Sequence, residues 1–278
     1  YIKEFLGTSA GTEGSLLIPR KIYDTLIPEV AKNLIPRSEA AIYVGPAQIP
    51  GSSIDLNRVI PDIMDVRLVS EGAEIPMDQT EYNNLNVRPN KYGVTIRITR
   101  ELMEDSQFDL LQHNIMIAGR RFAENENSLV VTALDGADTT VTGGAAITIA
   151  DITTAMFNVE QDDYTPTTFI VGNEVLNDLR NIDTFVEANR AGNTDMLERG
   201  FLGTIYGMNV IRVATTAGMT ATSAYVFDNK FGYVIVEKRP ISLEQFELPS
   251  QDMTATVITQ RLNVATLRAP AIGKITTT

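Results

Sequence analysis

Residues 94–136, VTIRITRELMEDSQFDLLQHNIMIAGRRFAENENSLVVTALDG, decide the fold because they join a strand to the longest helix that the chain can form. Apolar and polar residues alternate from Val94 to Thr99, the period of a strand with one buried face. A short helix is predicted over residues 100–105. A second helix is predicted from Phe108 to Leu134, because apolar residues recur there at steps of three, four and seven. Its expected apolar face comprises Leu111, Ile115, Ala118, Phe122, Leu129 and Ala133.

The second helix has recognisable start and stop signals. Ser106 followed by Asp109 is the pattern of a capping box, and Asp135–Gly136 predicts a turn at the end. A helix of this length would be roughly 40 Å long, about the width of a small domain. We therefore expect it to be the scaffold on which the domain is built.

Composition restricts the class of protein. With 278 residues, 44% of them hydrophobic, the chain can bury an ordinary core in one large domain or two closely packed ones. The sequence contains no apolar run of about 18 residues, so no membrane span is expected. The net charge of −12 argues against a protein that binds nucleic acid by neutralising phosphates. Zero cysteines exclude disulfides and thiolate metal sites.

The N-terminal region predicts a flexible arm. Residues 8–15, TSAGTEGS, are small and polar, and a short or kinked helix over residues 22–34 is expected to end at Pro36. Ala40 to Val44 predicts a first core strand. The chain begins at Tyr1 rather than Met, which fits proteolytic processing or trimming of a longer chain.

Residues 51–86 predict an acidic two-stranded ribbon. Strand-like runs at Ser53–Ile60 and Val66–Val69 are separated by prolines and acids, with a turn at Gly72. The segment contains seven acidic residues and two basic ones. Because an isolated two-stranded ribbon is marginally stable in water, we expect this one to lie on another subunit. Four acids crowd its tip and need a basic surface: Glu71, Glu74, Asp78 and Glu81.

After Gly136 the sequence ADTTVTGGAA predicts a link between two compositional blocks. In the second block Asp151 is expected to cap a helix that begins at Ile152. A buried strand at Phe169–Val171, a helix from Asn173 and a strand at Met208–Val213 follow, an alternation of α and β elements. The remaining predictions are a loop at Asp195–Gly200, a hairpin of Tyr225–Phe227 with Gly232–Glu237, and a strand from Met253 to Leu267 that returns to the first sheet.

The search for chemistry gives weak signals. Residues 7–11, GTSAG, match the pattern of a nucleophile elbow, but they lack the preceding strand and following helix, so a serine hydrolase using Ser9 and His113 is a remote alternative. No cofactor or metal site is expected. Arg120 and Arg121 precede Glu124 and Glu126, which predicts ion pairs within the helix or, alternatively, contacts between subunits.

Several stretches, in this order and spacing, resemble the major capsid proteins of tailed phages with the Hong Kong 97-like fold, in their mature, processed form. They are TEGSLLIP, NLIPRSEA, SEGAEIP, KYGVTIRITRELMEDS, RRFAENENSLVVTALDG, FIVGNEVLNDLRN, GTIYGMNVIRV and RLNVATLRAPAIGKI.

The resemblance implies an α+β fold in four parts. These are an N-terminal arm (1–36), an extended β-ribbon or E-loop (51–92), a peripheral P domain with a long spine helix and small sheet (37–50, 93–145 and 249–278), and a central α/β A domain (146–248).

The implied function is structural rather than enzymatic. Many copies would form hexamers and pentamers of an icosahedral virus shell around double-stranded DNA, with only weak non-specific contact with that DNA. Implied partners are the portal, a scaffold and a maturation protease, with a decoration protein as a further possibility, and assembly would occur in the host cytoplasm. An encapsulin-type nanocompartment shell is the alternative, although the arm does not resemble the N-terminal helix of encapsulins.

The resemblance also bears on contacts between subunits. By the family's usual route the ribbon would cross a neighbour's spine helix, which makes Arg120 and Arg121 the candidate hosts for the acidic tip. Some family members join an E-loop lysine to a neighbour's asparagine with a glutamate as base. Here residues 51–86 contain no lysine, Lys91 being the nearest, and Asp252 and Thr259 align with the asparagine and glutamate. We therefore predict a shell without such cross-links.

Overall fold

A computed structural model of the protein describes residues 35, 37–49, 51–59, 68–71, 74, 82–105, 110–182, 203–213, 215 and 218–278. Its helices are α1 (Arg100–Asp105), α2 (Leu110–Leu134), α3 (Ile149–Gln161) and α4 (Asn173–Asn181). Its strands are β1 (Ile42–Val44), β2 (Ile54–Val59), β3 (Tyr82–Val87), β4 (Asn90–Thr99), β5 (Thr139–Thr142), β6 (Thr168–Val171), β7 (Thr204–Ile205), β8 (Met208–Arg212), β9 (Ser223–Phe227), β10 (Tyr233–Leu248), β11 (Met253–Thr266) and β12 (Ile272–Thr276).

Sheet I has the strand order β1-β10-β11-β4. Its centre is the long antiparallel pair β10 and β11, which runs from Tyr233 opposite Thr266 to Leu248 opposite Met253. The register shifts between Glu237 and Ser242, next to Pro240, which has no backbone N–H to donate to a ladder. Strand β11 pairs with β4, as predicted for the strand from Met253 to Leu267 that returns to the first sheet.

Residues 94–136 fold as their periodicity predicts. Strand β4 ends at Thr99, α1 follows at once, and α2 ends at Leu134 before a turn at residues 135–136. The predicted apolar face of α2 is buried or partly buried, and it packs on Ile241 and Ile258 of sheet I. At 25 residues the helix is about 37 Å long. The predicted capping box at Ser106 and Asp109 lies outside the described residues.

Sheet II has the strand order β5-β12-β9-β6-β8-β7. Strands β6 and β8 run parallel on either side of α4 in sequence, which confirms the predicted α/β alternation. Every residue of β6 is buried, and Phe169 and Val171 pack with Ile152 of α3 and Leu179 of α4. One further cluster joins the sheets: Leu134 at the end of α2 packs with side chains from β9, β10 and β12.

The predicted hairpin of Tyr225–Phe227 with Gly232–Glu237 is wrong. A turn does form, with Gly232 N donating to Asp228 O at 2.9 Å, but β9 enters sheet II and β10 enters sheet I. All residues of β9 and the first five of β10 are buried. In the sequence such buried strands are continuous apolar runs, and these do not show which neighbouring strand each one pairs with.

Two smaller expectations near the second block are corrected, and one strand that was not predicted is found. The link after Gly136 contains β5, which pairs in parallel with β12. Thr148, not Asp151, is the N-cap of α3, and Asp151 is the third residue of a reciprocal capping box, so α3 begins at Ile149. The last strand, β12, lies in sheet II between β5 and β9.

In the first half, two expectations also change. The strand predicted over Ala40–Val44 is the shorter edge strand β1, in which only Val44 is buried. Leu68 and Val69, from the predicted run Val66–Val69, are not in a strand. The arm with Ser9, the helix over residues 22–34, the turn at Gly72 and the loop at Asp195–Gly200 lie outside the described residues. No described helix has the length and hydropathy needed to span a membrane.

Candidate assembly surfaces

The ribbon formed by β2 and β3 is an antiparallel pair separate from sheet I, and it runs from Ile54 opposite Val87 to Val59 opposite Tyr82. Its base packs on its own subunit, because Val87, Ile54 and Leu85 contact Val44 and Val234. Sequence reasoning expected the ribbon to lie on another subunit, with most of its apolar surface covered there, and did not foresee this anchored base.

Polar contacts hold both ends of the ribbon. The ammonium of Lys238 donates to the carbonyl of Gly51, just before β2. After β3, Asn263 Nδ2 donates to the carbonyl of Arg88 at 2.9 Å, and Arg261 Nη2 donates to that of Pro89 at 3.4 Å. The direction in which the ribbon leaves is therefore fixed by side chains of β10 and β11.

The acidic tip is only partly described. Glu71 and Glu74 are exposed, and Leu68 next to them is fully exposed. Asp78 and Glu81 lie outside the described residues. Within the described part of one subunit, no ion pair joins Glu71 or Glu74 to Arg120 or Arg121.

Arg120 and Arg121 are exposed on the solvent side of α2. Arg121 Nη1 lies 2.8 Å from Glu124 Oε2, which confirms one of the predicted pairs within the helix. The pairing expected for Glu126 is wrong, since Glu126 points inward and binds Arg37. The helix turns residues two apart to different faces, and so Glu124 and Glu126 have different partners.

Beside Arg121 there is a cleft of about 200 Å³ between α2 and β4. Its lining is mostly apolar and includes Tyr92, Val94 and Phe122. Asn125 also lines it, and its buried Nδ2 has no hydrogen-bond acceptor among the described residues. A basic rim, an apolar wall and an unpaired donor lie side by side here.

Sequence reasoning missed a partly buried ionic cluster around Arg37. The guanidinium binds Glu126 with two hydrogen bonds, of 2.8 and 2.9 Å, and Glu237 with one of 3.2 Å. The hydrogen bond to Glu126 raises the pKa of Arg37 above its ordinary value. The hydroxyl of Tyr43 donates to Glu237; burial and this hydrogen bond raise the pKa of Tyr43 to about 12.

A weak signal for this cluster exists in the sequence. Glu237 directly follows the apolar run YVIV, where a charged side chain needs a buried partner. Nothing in the sequence identifies Arg37 as that partner, because 200 residues separate the two.

No metal-binding arrangement competes with these surfaces among the described residues. His113 is exposed on α2, and Ser9 lies outside the described residues. Among the described residues, no group of three or more His, Cys, Asp or Glu side chains is placed to hold a metal ion.

Comparison with known proteins identifies the family. A family model described as phage capsid protein matches residues 82–274, over half of the chain. The chain belongs to the phage capsid protein family. No curated protein sequence matches this capsid protein.

Solved structures share the fold of the capsid protein at low sequence identity. The mature capsid of bacteriophage PhiM1 matches with a TM-score of 0.70 and 12% identity, covering 88% of this chain and 87% of that one. Mycobacterium phage Che8 matches with a TM-score of 0.68 and 12% identity, over 88% and 90%. A virus-like particle from Pyrococcus furiosus matches with a TM-score of 0.62 and 14% identity, over 92% and 98%.

The predicted α+β, Hong Kong 97-like fold is thus confirmed. The protein is a structural major capsid protein of a phage, located in the virion capsid. The nanocompartment and serine hydrolase alternatives are not favoured.

Proposed function

We propose that this capsid protein assembles into hexamers and pentamers of an icosahedral shell that encloses packaged double-stranded DNA. The observation that carries the proposal is the ribbon, whose base is fixed on its own subunit while the exposed Leu68, Glu71 and Glu74 belong to the segment beyond it. Such a segment gains stability only from a surface outside its own core. A closed shell supplies that surface at every position.

The charge of the chain suits a container for DNA. With a net charge of −12, the shell would bind phosphates weakly and non-specifically, which leaves DNA free to move during packaging and ejection. Assembly in the host cytoplasm with a portal, a scaffold and a maturation protease belongs to the same proposal, as does a decoration protein. The same proposal divides the chain into an arm (1–36), an E-loop (51–92), a three-part P domain (37–50, 93–145 and 249–278) and an A domain (146–248).

Electron microscopy of the purified protein tests the shell directly. We expect closed icosahedral particles, and particles from infected cells should contain DNA that is protected from nuclease. Particles that hold other proteins and no DNA would instead favour a nanocompartment. A population of monomers with hydrolase activity would overturn the structural role.

For contacts between subunits, we propose that the ribbon tip of one subunit lies against α2 of its neighbour. The acidic side chains Glu71, Glu74, Asp78 and Glu81 would then meet Arg120 and Arg121. Support comes from the opposite charges, from the exposure of both arginines, and from the apolar cleft beside Arg121. Electrostatic contacts of this kind affect the rate of association more than its strength.

Reversing two of these charges tests the contact. In the double variant Glu71→Lys and Glu74→Lys, assembly should slow several-fold at low salt, and the defect should shrink as salt screens the charges over about 10 Å at 0.1 M. Light scattering across a salt series measures the rate. Glu160→Lys and Glu174→Lys, exposed acids on α3 and α4, are the matched control. Equal rates for both double variants at every salt concentration would remove electrostatics at the ribbon tip from the account.

A further inference from the structure

The chain enters the fold at an anchored point. Ile35 is buried against Val130 and Val131 of α2, and its backbone N–H donates to Asn127 Oδ1 at 2.9 Å. A few residues later Ala41 N donates to Tyr233 O at 2.9 Å, and β1 then pairs with β10. Residue 35 and residues 37–44, here called the entry segment, thus run from the spine helix to the edge of sheet I.

Arg37 ties the entry segment to both elements at once. Its two bonds to Glu126 hold it to α2, and its bond to Glu237 holds it to β10. Its guanidinium also lies 5.5 Å from the ring centre of Tyr43, whose hydroxyl donates to the same Glu237. A planar guanidinium can make this set of contacts, whereas a lysine ammonium cannot bind a carboxylate in the two-pronged manner.

The cluster places two buried carboxylates around one partly exposed cation. Glu126 and Glu237 are 2% and 3% exposed, and both form ion pairs with Arg37. Gln260 Nε2 donates to Glu237 at 3.0 Å and stabilises it without neutralising it. Glu39, in the same segment, accepts from the hydroxyl of Thr168 on sheet II. Removing one partner of such a pair leaves an uncompensated buried charge, so loss of Arg37 should weaken the attachment of the segment.

We propose that Arg37 is a positioning residue that holds the entry segment against α2 and β10 in the arrangement that assembly between subunits requires. The second part rests on the proposed shell function. Because Arg37 bridges α2 and β10, the entry segment is tied to the same helix and sheet that carry the ribbon and the cleft. Loss of the bridge should disturb assembly even when the subunit itself stays folded.

The test separates charge neutralisation from positioning. Three variants are compared with the wild type: Arg37→Met, Arg37→Lys, and a triple variant that combines Arg37→Met with Glu126→Gln and Glu237→Gln. The triple variant removes the cation and both carboxylates, so it leaves no unpaired buried charge. Arg212→Met is the matched control, since Arg212 is exposed on sheet II and binds Asn173 rather than a carboxylate.

Three readouts are taken on each protein: the thermal midpoint, hydrogen exchange of a peptide that covers residues 35–44, and the yield of closed particles. Arg37→Met should lower the midpoint and speed exchange in the entry segment by about tenfold or more, as expected for a lost buried pair. The triple variant should recover most of the midpoint but retain the fast exchange and the low particle yield. Arg37→Lys should lie between Arg37→Met and the wild type, and Arg212→Met should match the wild type.

Two results would overturn the positioning role. One is slow, wild-type exchange in the entry segment of Arg37→Met. The other is recovery of both exchange and particle yield in the triple variant, because Arg37 would then serve only to neutralise charge. Particle formation by the wild type tests the proposed function separately, because the exchange measurement decides whether Arg37 anchors the entry segment whether or not closed particles form.

Discussion

Tyr43 shows how a single side chain links the entry segment to the pH dependence of stability. Its pKa is raised to about 12 by burial and by its hydrogen bond to Glu237, from an ordinary value of about 10. The neutral phenol is thus favoured in the folded state. The stabilisation of the folded state that this preference provides is complete below a pH of about 10 and is lost as the pH rises towards about 12.

We therefore expect the free energy of unfolding to fall less in Tyr43→Phe than in the wild type as the pH rises from about 10 to about 12. The difference should be modest, because Tyr43 is 42% exposed and solvent screens the interaction. Urea unfolding at a series of alkaline pH values measures it. The wild type also loses stability through Tyr225 and Tyr233, whose pKa values are raised mainly by burial, so the comparison between the two proteins is the informative quantity. Parallel curves for both would contradict the role of Tyr43.

Gly172 is a position where one added carbon should be costly. It lies between β6 and α4, and a Cβ atom there would come within 2.5 Å of the carbonyl oxygen of Ala221 and 2.7 Å of that of Thr220. Neither backbone oxygen can move aside without disturbing the packing of α4. Gly172→Ala should therefore lower the free energy of unfolding by about 1–3 kcal/mol.

Gly144→Ala is the matched control for this substitution. A Cβ atom added at Gly144 would meet no other atom within 4 Å, so this replacement should be nearly neutral. Denaturant unfolding of both variants gives the comparison. Equal stability of Gly172→Ala and Gly144→Ala would show that the backbone around Ala221 yields easily.

At the scale of elements, the capping box of α3 makes a defined contribution. Thr148 Oγ1 accepts from Asp151 N at 3.3 Å, and Asp151 Oδ2 accepts from Thr148 N at 2.8 Å. Thr148→Ala removes the hydrogen bond that Thr148 Oγ1 accepts, and it should lower the free energy of unfolding by about 1 kcal/mol. Thr153→Ala, at an exposed position within the same helix, should be neutral or slightly stabilising because alanine favours helices. Thermal melts of the two variants check the difference, and an equal shift in both would contradict the capping role.

Elements with a clear periodicity could be predicted from the sequence, while their partners could not. Strand β4, helix α2 and the buried β6 follow from the spacing of apolar residues, which reports local burial. The separation of β9 from β10 depends on contacts with β12 and β11, far away in sequence, and both strands look the same locally. The Arg37 cluster escaped prediction for the same reason, because its charges lie on three distant segments.

The assembled particle provides the prediction at the largest scale: we expect no covalent cross-link through the ribbon. Residues 51–86 contain no lysine to act as the nucleophile. Asp252 pairs with Arg100 at 3.3 Å and would be a poor electrophile as a carboxylate, and Thr259 shares a hydrogen bond of 2.9 Å with Ser242 and cannot act as a base. Particles boiled in denaturant should run as monomers near 30.5 kDa. A ladder of multimers on the gel would refute this expectation.

The place of β12 in sheet II has a consequence for how the protein is made. Strand β12 fills the gap between β5 and β9, and about 130 residues separate it from β5. At a translation rate of about 5–20 residues per second, β5 waits roughly 7–26 s on the ribosome for its partner. Until then a nascent chain exposes open strand edges and lacks Ile272 and Ile275 from its core. Chains released early, before Ile272, should be degraded or aggregate rather than enter a particle, so the order of synthesis itself selects finished subunits.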